Sequence, residues 1–114
     1  MKAPLHNSTA GVLYGGVEVE FADAELDRLE VDPRFGGNLA DDAVRGFRKA
    51  MQAIRAAVDE RDLYASKGLH FEKLKGDRSH QHAIRINKQW RLILEIIVRD
   101  EKHWIRVLKI EDYH

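Results

Sequence analysis

Cysteine is absent from this 114-residue chain, which excludes disulfides, thiolate zinc sites and cysteine nucleophiles and is compatible with a reducing compartment. No apolar run approaches the ~18 residues that a spanning helix needs, so a membrane-embedded protein is excluded. The opening stretch MKAPLHNSTAGVLYGG has no continuous apolar segment and does not read as a secretory signal, so the expected location is the cytoplasm. There is no phosphate-cradling glycine loop, no GxSxG elbow and no HExxH pair. Linkers, internal repeats and low-complexity segments are missing as well. What remains is 44% apolar and 33% charged, the balance of one domain with one core, too short to add a regulatory domain to a catalytic one.

Net charge is also lacking in total, but not locally. Nineteen basic residues balance nineteen acidic ones. Residues 1–66 hold 8 Lys/Arg against 12 Asp/Glu, whereas residues 67–114 hold 11 against 7 and five of the six histidines. Within 67–91 the basic residues are Lys67, Lys73, Lys75, Arg78, Arg85, Lys88 and Arg91, set against Glu72 and Asp77. A local cationic surface attracts a polyanion even when the molecule is neutral overall, although a solvated strand face has the same composition.

Residues 1–16 show no period and are expected to be a loose extension before a single domain at 17–114. Val17-Glu18-Val19-Glu20-Phe21 alternates with period two and predicts a strand with one buried face. Asp23 is a candidate N-cap for a short helix carrying Leu26 and Leu29 inward, with Glu25 and Asp27 in its first turn. Asn38 and Asp41 resemble a capping pair for a second helix. Its apolar stripe is Ala40, Val44, Phe47, Met51, Ile54 and Val58, with Arg45, Arg48, Lys49 and Arg55 expected to face water. Gly46 inside that helix costs about 1 kcal/mol relative to Ala.

After Gly68 the period turns to two. The expected strands are Leu69–Leu74, Gln81–Asn87, the two-sided apolar run Trp90–Val98, and His103 to Glu111, with turns at 76–79 and 99–102. In the last strand the apolar parity slips between Ile105/Val107 and Leu108/Ile110, the mark of a bulge or of two-sided burial. The predicted architecture is therefore α+β: a strand, two helices, then a four-stranded antiparallel meander, with both helices on one face of the sheet.

His80 and His82 place two imidazoles on one side of a strand, but no third ligand follows by spacing, so a metal site is not expected and the set of metal ligands is empty. A polar, basic set on consecutive strands is more telling. Arg85 alternates with Ile84 and Ile86, and Arg91 with Trp90 and Leu92, so a hairpin around Lys88-Gln89 lets both guanidinia share one surface. Arginine there suits bidentate phosphate binding, the alternative being ion pairs with Glu72, Asp77 or Glu95.

Leu74-Lys75-Gly76-Asp77-Arg78, then Ile84-Arg85-Ile86-Asn87, then Gln89-Trp90-Arg91, and finally Glu111-Asp112-Tyr113-His114 together resemble the HigB group of the RelE/ParE superfamily of bacterial toxins, over residues 17–114. The resemblance implies a type II toxin that cuts messenger RNA on the ribosome without metal or cofactor. It also implies neutralisation by a helix-turn-helix, HigA-like antitoxin and no membrane partner. Carried over by position, it implies catalytic roles for His114, Tyr113, Asp112, Arg91 and Lys75. RNA contacts are expected from Arg78 and Arg85, with Lys73 and His82 joining them. His114 would be the acid/base, Arg91 and Lys75 the phosphate stabilisers, Tyr113 a positioning or stacking group, and Asp112 an orienting one. Glu72 stands where some members carry a functional histidine. The superfamily also contains non-enzymatic ParE-type gyrase poisons, and a catalytically decayed member that only binds antitoxin is a further alternative.

Overall fold

The alternation at 17–21 does what its period requires: Val17, Val19 and Phe21 are all buried on one side of a strand. The computed structural model describes residues 16–112 and the backbone of His6–Asn7. Its elements are β1 (His6–Asn7), β2 (Glu18–Phe21), α1 (Ala24–Val31), α2 (Asp41–Ala56), α3 (Glu60–Ala65), β3 (Glu72–Lys73), β4 (His82–Arg85), β5 (Trp90–Arg99) and β6 (Lys102–Asp112). Single 3₁₀ turns lie at Lys67–Leu69 and Gly76–Arg78. No helix among the described residues is long and apolar enough to cross a membrane.

The strands form one sheet in the order β1-β2-β6-β5-β4-β3. β3 to β6 are the antiparallel meander, but β2 joins β6 in parallel, so the sheet is mixed. Of the segment expected to be loose, His6–Asn7 lies antiparallel against Glu20 and Phe21. The rest of residues 1–15 lies outside the described residues. The expected strand at 69–74 shrinks to Glu72–Lys73, because a 3₁₀ turn and a left-handed His70 (φ 49°) precede it. The short helix α3 was not anticipated. Asp59 caps it by accepting from the Arg61 amide at 2.9 Å, and Leu63 alone anchors it to the core, too little to register as a period.

α1 and α2 supply Leu26, Leu29, Val44, Phe47, Met51 and Ile54 to a core shared with Val19, Phe21, Ile84, Leu92, Leu94, Ile105 and Val107. Asp23 caps α1 as expected, its carboxylate accepting from the Glu25 amide at 2.8 Å. The residue before α2 is Ala40, with no side-chain cap, so Asn38 does not cap that helix, and Val58 lies past its end and is exposed. Arg48 does not face water either. It donates to the carbonyls of Leu29, Asp32 and Phe35 at 2.9–3.1 Å, closing the end of α1. Gly46 has a packing reason: a Cβ there would sit 2.4 Å from the Ile86 carbonyl oxygen, so only glycine lets α2 pass this close to the end of β4.

The parity slip in β6 is a bulge. Ile93 pairs with Lys109 but Leu94 pairs with Val107, leaving Leu108 as the extra residue. Before it, Ile105 and Val107 face the helices. After it, Ile110 does so, and Lys109 and Glu111 turn to the other face.

Candidate functional site

The face of the sheet away from the helices carries rows of charge set by the register. At one end Glu20, only 3% exposed, accepts from Arg99 at 2.9 Å and Arg106 at 2.8 Å, and Arg106 also lies 3.5 Å from Glu95. Burial alone would raise the Glu20 carboxyl, but the hydrogen bonds from Arg106 and Arg99 outweigh it and hold the group below 4.5. That end is closed and internally balanced.

The other end is built from Arg85, Arg91 and Glu111, direct register neighbours on β4, β5 and β6. Arg78, delivered by the 3₁₀ turn between β3 and β4, reaches over the sheet to the same carboxylate. Its Nη1 and Nη2 donate to Glu111 Oε2 and Oε1 at 3.0 and 2.9 Å, while its Nε donates to Gln81 Oε1 at 3.0 Å. Arg91 donates from Nε and Nη2 to Oε2 at 3.1 and 2.8 Å, and Lys109 Nζ lies 3.3 Å from Oε1. Charge-assisted hydrogen bonds from Arg78 and Arg91 lower the Glu111 carboxyl from 4.5 to about 2, so it is ionised at neutral pH. Three cations meet one carboxylate, and Arg85 stands one strand further along the same row beside Arg91, leaving a local excess of positive charge suited to a phosphate.

The turn that brings the two arginines into one row is fixed by Asn87. Its Oδ1 accepts from the Gln89 and Trp90 amides at 2.9 and 2.7 Å, and its Nδ2 donates to Asp42 of α2 at 3.1 Å. Asp112 pairs with Trp90 at the same end of the sheet, and Gln89 Nε2 donates to it at 3.5 Å. Lys75 is exposed on extended backbone just ahead of the turn that carries Arg78. Tyr113 and His114 lie outside the described residues.

Lys73 and His82 are not part of this grouping. They are register partners on the helix side of the sheet, the opposite face from Arg91. The His82 ring stacks on Phe71 at 4.9 Å between centroids, with Tyr64 edge-on to Phe71 at 4.6 Å. His82 Nδ1 is buried without a hydrogen-bond partner, and burial, with a smaller push from Lys73, lowers the imidazole pKa below 6.5. The expected His80–His82 pairing on one strand does not form, since His80 lies in the turn before β4. Among the described residues no three His, Cys, Asp or Glu side chains are grouped to hold a metal ion.

Sequence reading passed over Glu111 as the partner of the arginines, naming Glu72, Asp77 and Glu95 instead. The signal was present in the parity slip: without the extra Leu108, Glu111 would point at the helices.

Residues 19–112 match the family model described as the RelE-like toxin of the type II toxin-antitoxin system HigB. The toxin HigB-1 of Vibrio cholerae serotype O1 is 30% identical over 77 residues, 68% of this chain and 81% of that protein. Among solved structures, a YoeB/ParE toxin from Agrobacterium tumefaciens aligns over 84% of this chain and 98% of its own, at 14% identity and a TM-score of 0.49. With the family model spanning nearly the whole described domain, the chain belongs to the HigB-like, RelE-type toxins of type II toxin–antitoxin systems.

Proposed function

We propose that this toxin is a ribosome-dependent endoribonuclease that cuts messenger RNA without a metal ion, in the cytoplasm, and that a HigA-like helix-turn-helix antitoxin holds it inactive. The observation that carries the reading is the row Arg85–Arg91–Glu111 with Arg78 folded over it, a cationic cluster at the end of the sheet where β6 closes on Asp112. In the reaction a ribose 2′-oxygen bonds to the adjacent phosphorus and the bond from phosphorus to the 5′-oxygen breaks. A base takes the hydroxyl proton and an acid supplies one to the leaving oxygen, giving a 2′,3′-cyclic phosphate and a 5′-hydroxyl end.

Arg91 and Lys75 stabilise the charge that builds on the phosphate oxygens, and Arg78 and Arg85 hold the flanking strand. His114 follows two residues after Asp112 in the sequence and serves as the acid/base, with Tyr113 as a stacking or positioning group and Asp112 orienting them. Lys73 and His82 lie on the opposite face from Arg91 and are not placed against the scissile linkage.

The test is induction of the protein in cells followed by mapping of transcript ends. Cuts within translated messages, abolished by Arg91→Ala and His114→Ala in folded protein, support the reading. DNA breaks with intact transcripts would replace it by gyrase poisoning, and neither lesion would leave an antitoxin-binding member without catalysis.

A further inference from the structure

Beside the charged row lies a cleft of about 380 Å³ between α2, the 3₁₀ turn at Lys67–Leu69 and the end of β4. Its rim carries Lys49, Lys67 and Arg85, and its walls are apolar at Ala53, Leu69 and Ile86. No carboxylate lines it, and none of those three cations pairs with a carboxylate among the described residues. Arg85 belongs to both places: it lines the cleft and is the register partner of Arg91.

We propose that this cleft is a nucleotide subsite, holding one unstacked nucleotide of the RNA strand next to the linkage poised at Arg91. The base lies against Ala53, Leu69 and Ile86, and its phosphate is held by Lys49, Lys67 and Arg85. The inference rests on the nuclease reading and extends it to the substrate's neighbouring nucleotide. Three considerations favour RNA as the occupant. The volume is that of a site for a small ligand. A cationic rim over an apolar floor matches a nucleotide's anionic and flat apolar parts. Arg85 makes the cleft continuous with the row that would bind the scissile phosphate. An acidic, apolar antitoxin segment would share the charge match but has no reason to continue into that row.

The experiment uses the full chain and a fluorescein-labelled, 2′-O-methylated single-stranded RNA that cannot be cut. Lys49→Ala/Lys67→Ala is expected to weaken binding about tenfold near physiological salt and to make the dependence on log salt shallower by about one. In nuclear magnetic resonance titrations, uridine monophosphate should shift the amides of Ser66 to Leu69 and Ile86, and inorganic phosphate should leave Ile86 unmoved. Unchanged affinity and salt slope in the double variant would overturn the subsite. So would loss of antitoxin binding with RNA binding intact, which would give the cleft to the antitoxin. The underlying reading fails separately: wild-type protein that leaves messenger RNA intact in a translation complex would sink the nuclease and leave the binding result standing, whereas Arg91→Ala cutting at the wild-type rate would sink the placement of the linkage at Arg91.

Discussion

Replacing Glu111 with Gln tests whether the carboxylate organises the arginines. The carboxylate accepts four N–H···O contacts from Arg78 and Arg91, at 2.8 to 3.1 Å, and lies 3.3 Å from Lys109. Glutamine keeps one acceptor oxygen and turns an NH₂ group towards the guanidinia. Lowering the carboxyl from 4.5 to about 2 sets an upper limit of about 3 kcal/mol, at 1.36 kcal/mol per pH unit. Side-chain exposures of 34% for Arg78 and 19% for Glu111 admit solvent, which screens this to about 1–2 kcal/mol. A folded pKa below the unfolded one means the unfolded chain takes up the proton first as pH falls. The stabilisation is therefore complete above 4.5 and disappears as pH drops through about 2. Urea denaturation of wild type and Glu111→Gln should differ by that amount at neutral pH and converge in acid. Removing one negative charge should also tighten RNA binding several-fold while slowing cleavage, because the arginines lose their common anchor. Equal stability at neutral pH, or a difference that persists unchanged through acid, would refute the reasoning.

Gly46→Ala should lower the urea midpoint. The new Cβ meets the Ile86 carbonyl at 2.4 Å, an overpacking cost of about 1–3 kcal/mol that exceeds the ~1 kcal/mol gain in helix propensity, and a raised midpoint would contradict it. Arg48→Met keeps the apolar stem but orphans the Leu29, Asp32 and Phe35 carbonyls, and a loss of about 2 kcal/mol is expected by thermal denaturation. His82 has a folded pKa below its unfolded value, so wild-type stability should begin to fall as pH drops below 6.5. His82→Phe should flatten that first decline, and identical pH profiles for the two proteins would count against a buried neutral imidazole.

Local periodicity carried most of the architecture. The β2 alternation, the α2 stripe from Val44 to Ile54 and the two-sided burial of β5 follow directly from spacing, since each buries its apolar residues as the period dictates. The features that escaped are non-local. The parallel pairing of β2 with β6 joins residues some 86 positions apart, and nothing in either strand's own pattern specifies a partner. α3 buries a single leucine and leaves no stripe to read. Arg48 looked solvent-facing because helical phase alone does not say that the end of α1 comes to lie beside it. At the candidate site, the common surface for Arg85 and Arg91 followed from alternation and one hairpin. The faces of Glu111 and His82 were within reach of the same local parity, through the slip in β6 and the alternation of Ile84 with Arg85, whereas the cations that meet Glu111 depend on strand register.

The most direct measurement is single-turnover cleavage of a defined messenger RNA in a stalled translation complex, comparing wild type with Arg91→Ala after circular dichroism shows both folded. Loss of a donor aimed at the developing phosphate charge predicts a rate reduction of about 10²–10³-fold with 5′-hydroxyl product ends for the wild type. Intact message with the wild-type protein, or equal rates for the two, would contradict the account.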